Sequence, residues 1–376
     1  MRILYLRNFA SKVNPDSYNL QEIGFGKALI RKGHDCDIVY YVPKEDESVQ
    51  VVDQADGHTL RILWMKGLKV LSNSIYRRIL RKPFLDQYDL IITTEYNQIM
   101  SYMLAKICPE KLVLYHGPYS DNNNLLVRRA YDVVCLPKMK RNMKYNFVKS
   151  DLAKQFLADK GFANVHTLGV GLDRDNINMR REPNPVLEEK LECLKDKKVL
   201  LYIGVLEERR NILFLLQVFN ALKSRLEEDI ALLIVGDGKP EDTGRYFEFS
   251  RNHQLDSHIL HLPKVAQQDL WQIYEASDVM VFPTNYDIFG MVLMESMYFR
   301  VPVISSVNGG ASTLIKDNFN GIIIEQFDEE LWAEASGRLL SDEILHKRLQ
   351  TEAYNTISAV TWDQIADDML QAIGFE

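Results

Sequence analysis

The chain has 376 residues, of which 46% are hydrophobic and 26% charged, proportions typical of a folded globular protein. This length exceeds what one hydrophobic core usually serves, so it predicts two domains. No apolar run approaches the ~20 residues that cross a bilayer. The four cysteines form no C-x-x-C pair, which favours reduced thiols and a cytoplasmic location over a disulfide-rich secreted domain.

Positive charge is concentrated in the first half. Residues 1–180 carry 27 Lys and Arg against 19 Asp and Glu, whereas residues 181–376 carry 18 against 33. This imbalance predicts an anionic partner for the first half, either a membrane surface or a phosphorylated acceptor. An uneven distribution of solvated side chains is the alternative, and nucleic acid is not expected.

Short apolar runs alternate with helical patterns along the chain, which predicts parallel sheets built from βα units. A helix over 20–32 should end at Gly33, a glycine C-cap. The strands predicted in the first half cover residues 3–6, 36–41, 60–64, 90–93, 112–115, 147–148 and 165–168.

The stretch over 68–82 has the pattern of a basic amphipathic helix. Leu68, Leu71, Ile75 and Ile79 fall on one helical face, and Lys and Arg side chains surround it. Such a helix is suited to an anionic membrane surface. An ordinary helix packed on its sheet is the alternative.

The second half begins after a polar segment over 174–195 that contains Pro183 and Pro185 and is typical of a linker. The strands predicted there cover residues 198–203, 231–235, 259–262, 279–282, 303–305 and 321–324. Doubly wound domains bind ligands at the carboxyl ends of their strands, so a cleft between two such domains is the expected site.

The most informative stretch is DIFGMVLME over 287–295, between an apolar strand and a helical run over 291–298. A strand, a glycine-containing loop and a helix N-terminus form an anion site, because free N–H groups and the helix dipole point at the ligand. Asp287 and Glu295 lie eight positions apart. This segment can therefore hold a diphosphate on backbone amides, a sugar on Asp287 and a ribose on Glu295.

Three further loops follow predicted strands of the second half. Gly204 ends the first strand, and Arg209 and Arg210 follow before the next helix. Arginine makes bidentate bonds to phosphate, although an ordinary helix start with exposed arginines is the alternative. Gly236 and Val265 follow the next two strands, where a plain turn and a plain loop are the alternatives.

These motifs resemble, in order and spacing, those of the retaining glycosyltransferases of family 4, which have the GT-B fold. Residues 287–295 are similar to the family's E-x7-E motif, with Asp in place of the first Glu. In the segment that begins at Gly204, Arg210 stands at the position of a phosphate-binding lysine. The pair Gly309-Gly310 resembles a G-G-x-x-E loop that lacks its acid. His116, which ends a strand of the first half, matches a His-Gly that touches the donor sugar.

The resemblance implies an α/β chain with two Rossmann-like doubly wound domains that face an interdomain cleft, the GT-B arrangement. It predicts an acceptor domain over 1–172, a linker over 173–196, and a nucleotide-sugar domain over 197–360. A last helix over 361–376 should cross back to the first domain.

The implied reaction moves a sugar from a nucleotide diphosphate sugar to a hydroxyl of a glycan or glycolipid, with retention (EC 2.4). A UDP-sugar is favoured and a GDP-sugar is next, in the synthesis of cell-surface polysaccharide or glycoconjugate. No cofactor or metal is expected, and the D-x-D triplets at 35–37 and 173–175 are not expected to bind metal. The enzyme would be cytoplasmic or peripheral on the inner face of the membrane. A non-catalytic GT-B partner subunit and a nucleotide-sugar 2-epimerase stay open as other classes.

The resemblance assigns catalytic roles to His116, Asp287 and Arg210. Arg210 would stabilise the leaving diphosphate, which is the largest electrostatic demand of the step. The residues expected to bind the nucleotide sugar are Gly204, Arg209, Arg210, Gly236, Val265, Asp287, Ile288, Phe289, Gly290, Met291, Val292 and Glu295.

Overall fold

The computed structural model describes residues 1–15, 20–43, 47–121, 125–177, 182–226 and 229–374. The chain forms two compact units, and each is built around one large sheet. The first unit comprises Met1–Asp173 and Thr361–Glu376, and the second comprises Arg174–Val360.

The first unit contains ten strands within the described residues. They are β1 (Arg2–Leu6), β2 (Asp35–Val42), β3 (Ser48–Ala55), β4 (His58–Lys66), β5 (Leu68–Val70), β6 (Asn73–Ile75), β7 (Leu90–Thr94), β8 (Leu112–His116), β9 (Tyr145–Val148) and β10 (Val165–Thr167). Its helices up to the unit boundary are α1 (Gln21–Arg31), α2 (Lys82–Leu85), α3 (Ile99–Ile107), α4 (Leu125–Val134), α5 (Leu136–Asn142) and α6 (Asp151–Asp159).

The large sheet of the first unit has the strand order β10-β9-β8-β7-β1-β2-β4-β3. It is parallel except where β3 pairs antiparallel with β4. The central strands are buried along their whole length, as expected for a parallel sheet that is covered on both faces. The strand order reverses between β1 and β7, and the carboxyl ends of these two strands therefore mark the topological switch point at which doubly wound folds bind ligands.

The second unit has the strand order of a doubly wound fold. Its strands are β11 (Lys198–Ile203), β12 (Ile230–Val235), β13 (Ile259–Leu262), β14 (Val279–Phe282), β15 (Val303–Ser305) and β16 (Ile322–Ile323). Its helices are α7 (Arg174–Ile177), α8 (Pro185–Leu191), α9 (Ile212–Lys223), α10 (Pro240–Asn252), α11 (Leu270–Glu275), α12 (Met291–Tyr298), α13 (Ala311–Leu314), α14 (Glu329–Ser341) and α15 (Glu343–Ser358). The parallel order β13-β12-β11-β14-β15-β16 puts the switch point between β11 and β14.

The last helix, α16 (Trp362–Ala372), packs in the first unit against α1. Trp362 is 3% exposed, and its ring lies 5.8 Å from the ring of Phe25. A Cβ added at Gly24 or Gly171 would collide with Trp362. The C-terminal segment therefore supplies part of the core of the first unit.

The predicted strands of both halves match observed strands. The prediction does not include β3, an edge strand whose Val49 and Val51 are more than half exposed. Among the described residues, no helix combines the length and the apolar character that crossing a bilayer requires.

The predicted amphipathic helix over 68–82 is wrong. In its place β5 and β6 form a short antiparallel hairpin, in which Leu68 pairs with Ile75. Leu71 lies at the turn with a left-handed φ of 56° and is 73% exposed. The Ser-Asn-Ser run that follows favours turns over helix, because these side chains bond to nearby backbone groups.

Candidate functional site

In the second unit, the loops that follow β11 and β14 are bonded to each other at the switch point. The amide of Asn285 donates to the carbonyl oxygen of Arg209 over 2.9 Å, and Arg209 Nη1 donates to the carbonyl oxygen of Tyr286 over 2.8 Å. Asn211 Nδ2 donates to Asn285 Oδ1 over 3.0 Å. The two loops, which the sequence analysis identifies separately, thus lie together in one candidate site.

Asp287 lies at the centre of this site. Its Oδ2 forms an ion pair with Nη1 of Arg210. Its Oδ1 accepts hydrogen bonds from the amides of Phe289 (3.1 Å) and Gly290 (2.8 Å). Gly290 caps α12 with a φ of 70°, which favours glycine. An arginine and two backbone N–H groups at a helix N-terminus therefore hold the chain's own carboxylate.

The two arginines differ in their surroundings. The side chain of Arg210 is 13% exposed, and its guanidinium lies 5.6 Å from the centre of the Phe282 ring. Its Nε is buried and has no hydrogen-bond partner in the described part of the chain. Arg209 is 44% exposed and pairs with Glu207 over 2.6 Å. Arg210 is therefore the inner, less screened cation of the pair.

Several glycines allow the loops at this edge to touch through their backbones. A Cβ at Gly236 would collide with the carbonyl oxygen of Gly204. A Cβ at Gly309 or Gly310 would collide with carbonyl oxygens of the 287–290 loop. The loops after β11 and β12 therefore meet each other without intervening side chains, as do the loops after β14 and β15.

Glu295 lies on α12 and is 1% exposed. The hydroxyl of Tyr274 donates to Glu295 Oε2 over 2.9 Å, and the Tyr274 ring stacks on Phe299 at 5.0 Å. Burial raises the pKa of Glu295 to about 8. The carboxyl group is therefore mostly protonated at neutral pH. Nothing in the sequence marks Tyr274 as its partner.

The other predicted residues of the second unit lie at the same sheet edge. Ile288 is half-buried in the loop before α12, and Met291 and Val292 form the first turn of that helix. Val265 is half-buried in the loop after β13. Because β11 to β14 are parallel, these positions share the edge that carries Arg210.

His116 belongs to the first unit, where it ends β8 and is fully buried. Its Nδ1 lies 2.6 Å from Oε2 of Glu95. Its ring stacks on Phe156 at 6.0 Å and meets the edge of Tyr96 at 5.4 Å. The structure thus brings Arg210 together with Asp287, and pairs His116 with a residue that the sequence analysis does not select.

Glu95 is that missed residue. Burial alone would raise the pKa of its carboxyl group, but His116, Lys149 and the Gly117 amide favour the charged form and bring the pKa below its usual value. Glu95 directly follows the buried strand β7 at the switch point of the first sheet. A charged residue after a buried strand was the available signal.

No group of three His, Cys, Asp or Glu side chains within the described ranges could hold a metal ion. In the first D-x-D triplet, Asp37 is buried and bonds to Arg2, Arg61 and Tyr88. Asp35 accepts a hydrogen bond from the backbone amide of Thr59. These carboxylates therefore stabilise the sheet. In the second triplet, the side chain of Asp175 lies outside the described residues.

Known proteins resemble both the sequence and the fold. Residues 185–356 match the family Glycosyl transferases group 1. A D-inositol 3-phosphate glycosyltransferase of Xylanimonas cellulosilytica is 26% identical over 58% of this chain and 53% of its own length. The chain spans about half the length or less of the D-inositol 3-phosphate glycosyltransferases that it matches. An uncharacterized glycosyltransferase of Methanocaldococcus jannaschii is 23% identical over 92% of this chain and 90% of its own.

Solved structures match over nearly the whole chain. Sucrose-phosphate synthase of Thermosynechococcus elongatus has a TM-score of 0.68 at 18% identity and covers 99% of this chain and 98% of its own. Anabaena HepE, solved with UDP, has a TM-score of 0.74 at 14% identity and covers 99% of both chains. These likenesses agree with the two strand orders. The chain thus has the two Rossmann-like halves of the GT-B fold, and its second half matches Glycosyl transferases group 1.

Proposed function

We propose that this chain is a glycosyltransferase (EC 2.4) that moves a sugar from a nucleotide diphosphate sugar to a hydroxyl group, with retention. The GT-B fold and the match over 185–356 support this class. The proposal needs no metal, because Arg210 and backbone amides would neutralise the leaving diphosphate.

The observation that carries the proposal is the anion site around Asp287. Arg210 and the amides of Phe289 and Gly290 already bind a carboxylate. A diphosphate offers the same chemistry with more charge and more acceptor oxygens. In the proposed complex the diphosphate takes these donors, and Asp287 turns to the hydroxyls of the donor sugar.

A UDP-sugar is the first candidate for the donor and a GDP-sugar is the second. The HepE structures with UDP and with UDP-glucose support uridine, because they share this fold. Glu295, in the second turn of α12, would bind the ribose hydroxyls.

The acceptor we propose is anionic, a phosphorylated sugar alcohol or a glycolipid. The relative named for D-inositol 3-phosphate supports a phosphorylated acceptor, and a lipopolysaccharide N-acetylglucosaminetransferase of Salmonella typhimurium, 25% identical over half of this chain, supports a glycan. The positive charge of residues 1–180 suits both. The same positive charge supports a peripheral location on the inner face of the membrane. The segment over 68–82 gives this location no support, because it does not form the predicted helix.

A thermal-shift panel of UDP, GDP, ADP and dTDP tests the nucleotide site. All four nucleotides are compared at one concentration, and a nucleotide whose Kd is 100 times below that concentration adds about 2.7 kcal/mol to the free energy of unfolding. The preferred base has the lowest Kd and should therefore give the largest shift. Arg210→Ala should weaken binding about tenfold or more, because charge-assisted bonds contribute roughly 1.5–3 kcal/mol.

Arg251→Ala is the matched control for that experiment. Arg251 is exposed in the last turn of α10, the end of the helix that leads back to the amino ends of the strands, so its loss removes the same charge away from the loops. An unchanged Kd in Arg210→Ala would remove this arginine from the site. Tight nucleotide binding without turnover of any nucleotide sugar would favour the non-catalytic partner subunit.

Asp287→Asn should bind the bare nucleoside diphosphate about tenfold more tightly than the wild type. The variant keeps an oxygen for the amides of Phe289 and Gly290 but releases Arg210 from its ion pair, which contributes roughly 1.5–3 kcal/mol. Sugar transfer should nevertheless fall more than tenfold, because a carboxylate that holds sugar hydroxyls is lost. Calorimetry and an initial-rate assay measure the two effects.

Glu241→Gln provides the control for charge alone. Glu241 is 79% exposed in the first turn of α10, so its loss changes net charge without freeing an arginine. Nucleotide affinity in this variant should equal that of the wild type. Equal affinity in Asp287→Asn as well would mean that Asp287 does not compete with the diphosphate.

A further inference from the structure

The first unit holds a buried acid and a buried histidine in contact at the edge where ligands are expected. Glu95 follows β7, which borders the switch point, and His116 ends the neighbouring strand β8. Glu95 is 5% exposed and His116 is fully buried. Their side chains approach to 2.6 Å between Oε2 and Nδ1. We propose that Glu95 is a positioning residue that fixes the ring of His116, so that Nε2 alone is offered to a ligand hydroxyl.

This inference rests on the proposed transfer reaction for its ligand, but its geometry is independent of the nucleotide site. The His116 ring is held between Phe156, stacked at 6.0 Å, and Tyr96, edge-on at 5.4 Å. Both ring nitrogens are buried, and neither has a partner of full hydrogen-bond geometry among the residues that the structure describes: Nδ1 lies 2.6 Å from Glu95 Oε2 as an ion-pair contact, and Nε2 has no partner. A buried nitrogen without a partner requires an explanation, and a ligand hydroxyl supplies one.

The backbone of Glu95 is held in an unfavourable conformation. Its φ of 59° lies in the left-handed region, which is rare for residues other than glycine and is concentrated at functional sites. Ser101 Oγ donates to the carbonyl oxygen of Glu95 over 2.8 Å. Asn8 Nδ2 donates to Ser101 Oγ over 3.0 Å. A buried polar network therefore holds the turn that aims the Glu95 carboxylate at His116.

The charges around the pair keep Glu95 ionised. Burial alone would raise the pKa of its carboxyl group, but His116, Lys149 and the Gly117 amide bring it below the usual value. The charged groups that act on Lys149 are Glu95, Glu22 and Arg7. An ionised Glu95 can only accept, so it selects a proton on Nδ1 and leaves Nε2 for the ligand.

Nitrogen NMR of histidine-labelled protein tests the pairing without any activity assay. In the wild type, Nδ1 of His116 should carry a proton. In Glu95→Gln the ring proton should no longer favour Nδ1 over Nε2. His116→Ala assigns the signal. An unprotonated Nδ1 in the wild type would overturn the proposal, whether or not the variant folds.

A double-mutant cycle tests the role in transfer. Glu95→Gln should lower the transfer rate roughly 10- to 100-fold, the range found when a metal-bound histidine loses the partner that orients its ring. The nucleoside diphosphate Kd should stay within twofold. Glu95→Asp should recover part of the rate, because it keeps the charge. In the His116→Ala background, Glu95→Gln should cause no further loss, since Glu95 acts through His116.

Asp35→Asn is the matched control, because it removes a carboxylate that lies 3.8 Å from His58 at the amino end of β2. It should leave the rate unchanged. Full activity of Glu95→Gln, or losses that add in the double variant, would refute the positioning role. Absence of transfer by the wild type would refute the proposed function instead, and the NMR result would still decide the pairing.

Discussion

Glu295→Gln is expected to be more stable than the wild type at pH 8 by about 4 kcal/mol, and nearly equal to it near pH 4.5. Burial raises the folded-state pKa of Glu295 from 4.5 to about 8. Between these values the unfolded chain releases the proton and the folded chain retains it. The wild type therefore loses about 1.4 kcal/mol per pH unit as pH rises through this window. Glutamine has the shape of the neutral acid and can still accept the hydrogen bond from the hydroxyl of Tyr274.

Urea unfolding of both proteins at pH 5, 6.5 and 8 measures this difference. Glu275→Gln is the control, because Glu275 is exposed at the end of α11 and beside Tyr274 in the chain. Glu275→Gln should stay within about 0.5 kcal/mol of the wild type, because substitutions of exposed side chains have small effects. A constant stability difference for Glu295→Gln would show that Glu295 is ionised in the folded protein.

The same carboxyl group should make nucleotide affinity depend on pH. Ribose hydroxyls donate to an ionised carboxylate better than to a protonated one, so nucleotide binding should release the proton of Glu295 to the solvent. The wild-type affinity should therefore rise toward pH 8, by up to about tenfold per pH unit. The Glu295→Gln variant should bind more weakly at pH 8 and show only the titration of the nucleotide itself.

Trp362→Ala should lower the free energy of unfolding of the first unit by about 3–5 kcal/mol, the usual effect of removing a buried tryptophan. Trp362 fills the space that Gly24 and Gly171 leave open and contacts Phe25. Its loss should detach α16 from α1. Denaturant unfolding measures the change. It is followed by far-UV circular dichroism, because the variant lacks one tryptophan.

Asp363→Ala is the control on the same helix. Asp363 forms an ion pair with Arg31 over 2.8 Å, and both side chains are more than a third exposed. Exposed pairs contribute about 0–1 kcal/mol. If the two variants unfold alike, the helix is held by charge rather than by Trp362.

The second unit could be predicted closely because its strands are continuous apolar runs buried on both faces. The predicted helix over 291–298 has the bounds of α12, since glycine at its start and the change from strand to helical pattern are local signals. The hairpin over 68–75 was not predictable from periodicity alone. Its leucines have helical spacing, yet Leu68 and Leu71 are exposed and no sheet face uses that spacing.

The sequence could predict which candidate residues share one sheet edge, but not which of them contact each other. The motifs placed Arg210 and Asp287 at one sheet edge, because parallel strands end together. The ion pair between them joins positions 77 residues apart, a distance over which local patterns carry no information. Glu95 shows the same limit. Its contact with His116 depends on the pairing of β7 with β8, which only the folded sheet specifies.

The glycine contacts among the loops of the second unit limit how these loops could be re-engineered. Gly236 lies against Gly204, and Gly309 and Gly310 lie against the 287–290 loop, with no space for a side chain. A loop taken from another glycosyltransferase would pack against a neighbouring loop whose backbone conformation does not fit it. Chimeras should therefore exchange each touching pair of loops together, because exchange of one member alone replaces a matched backbone surface with a clash.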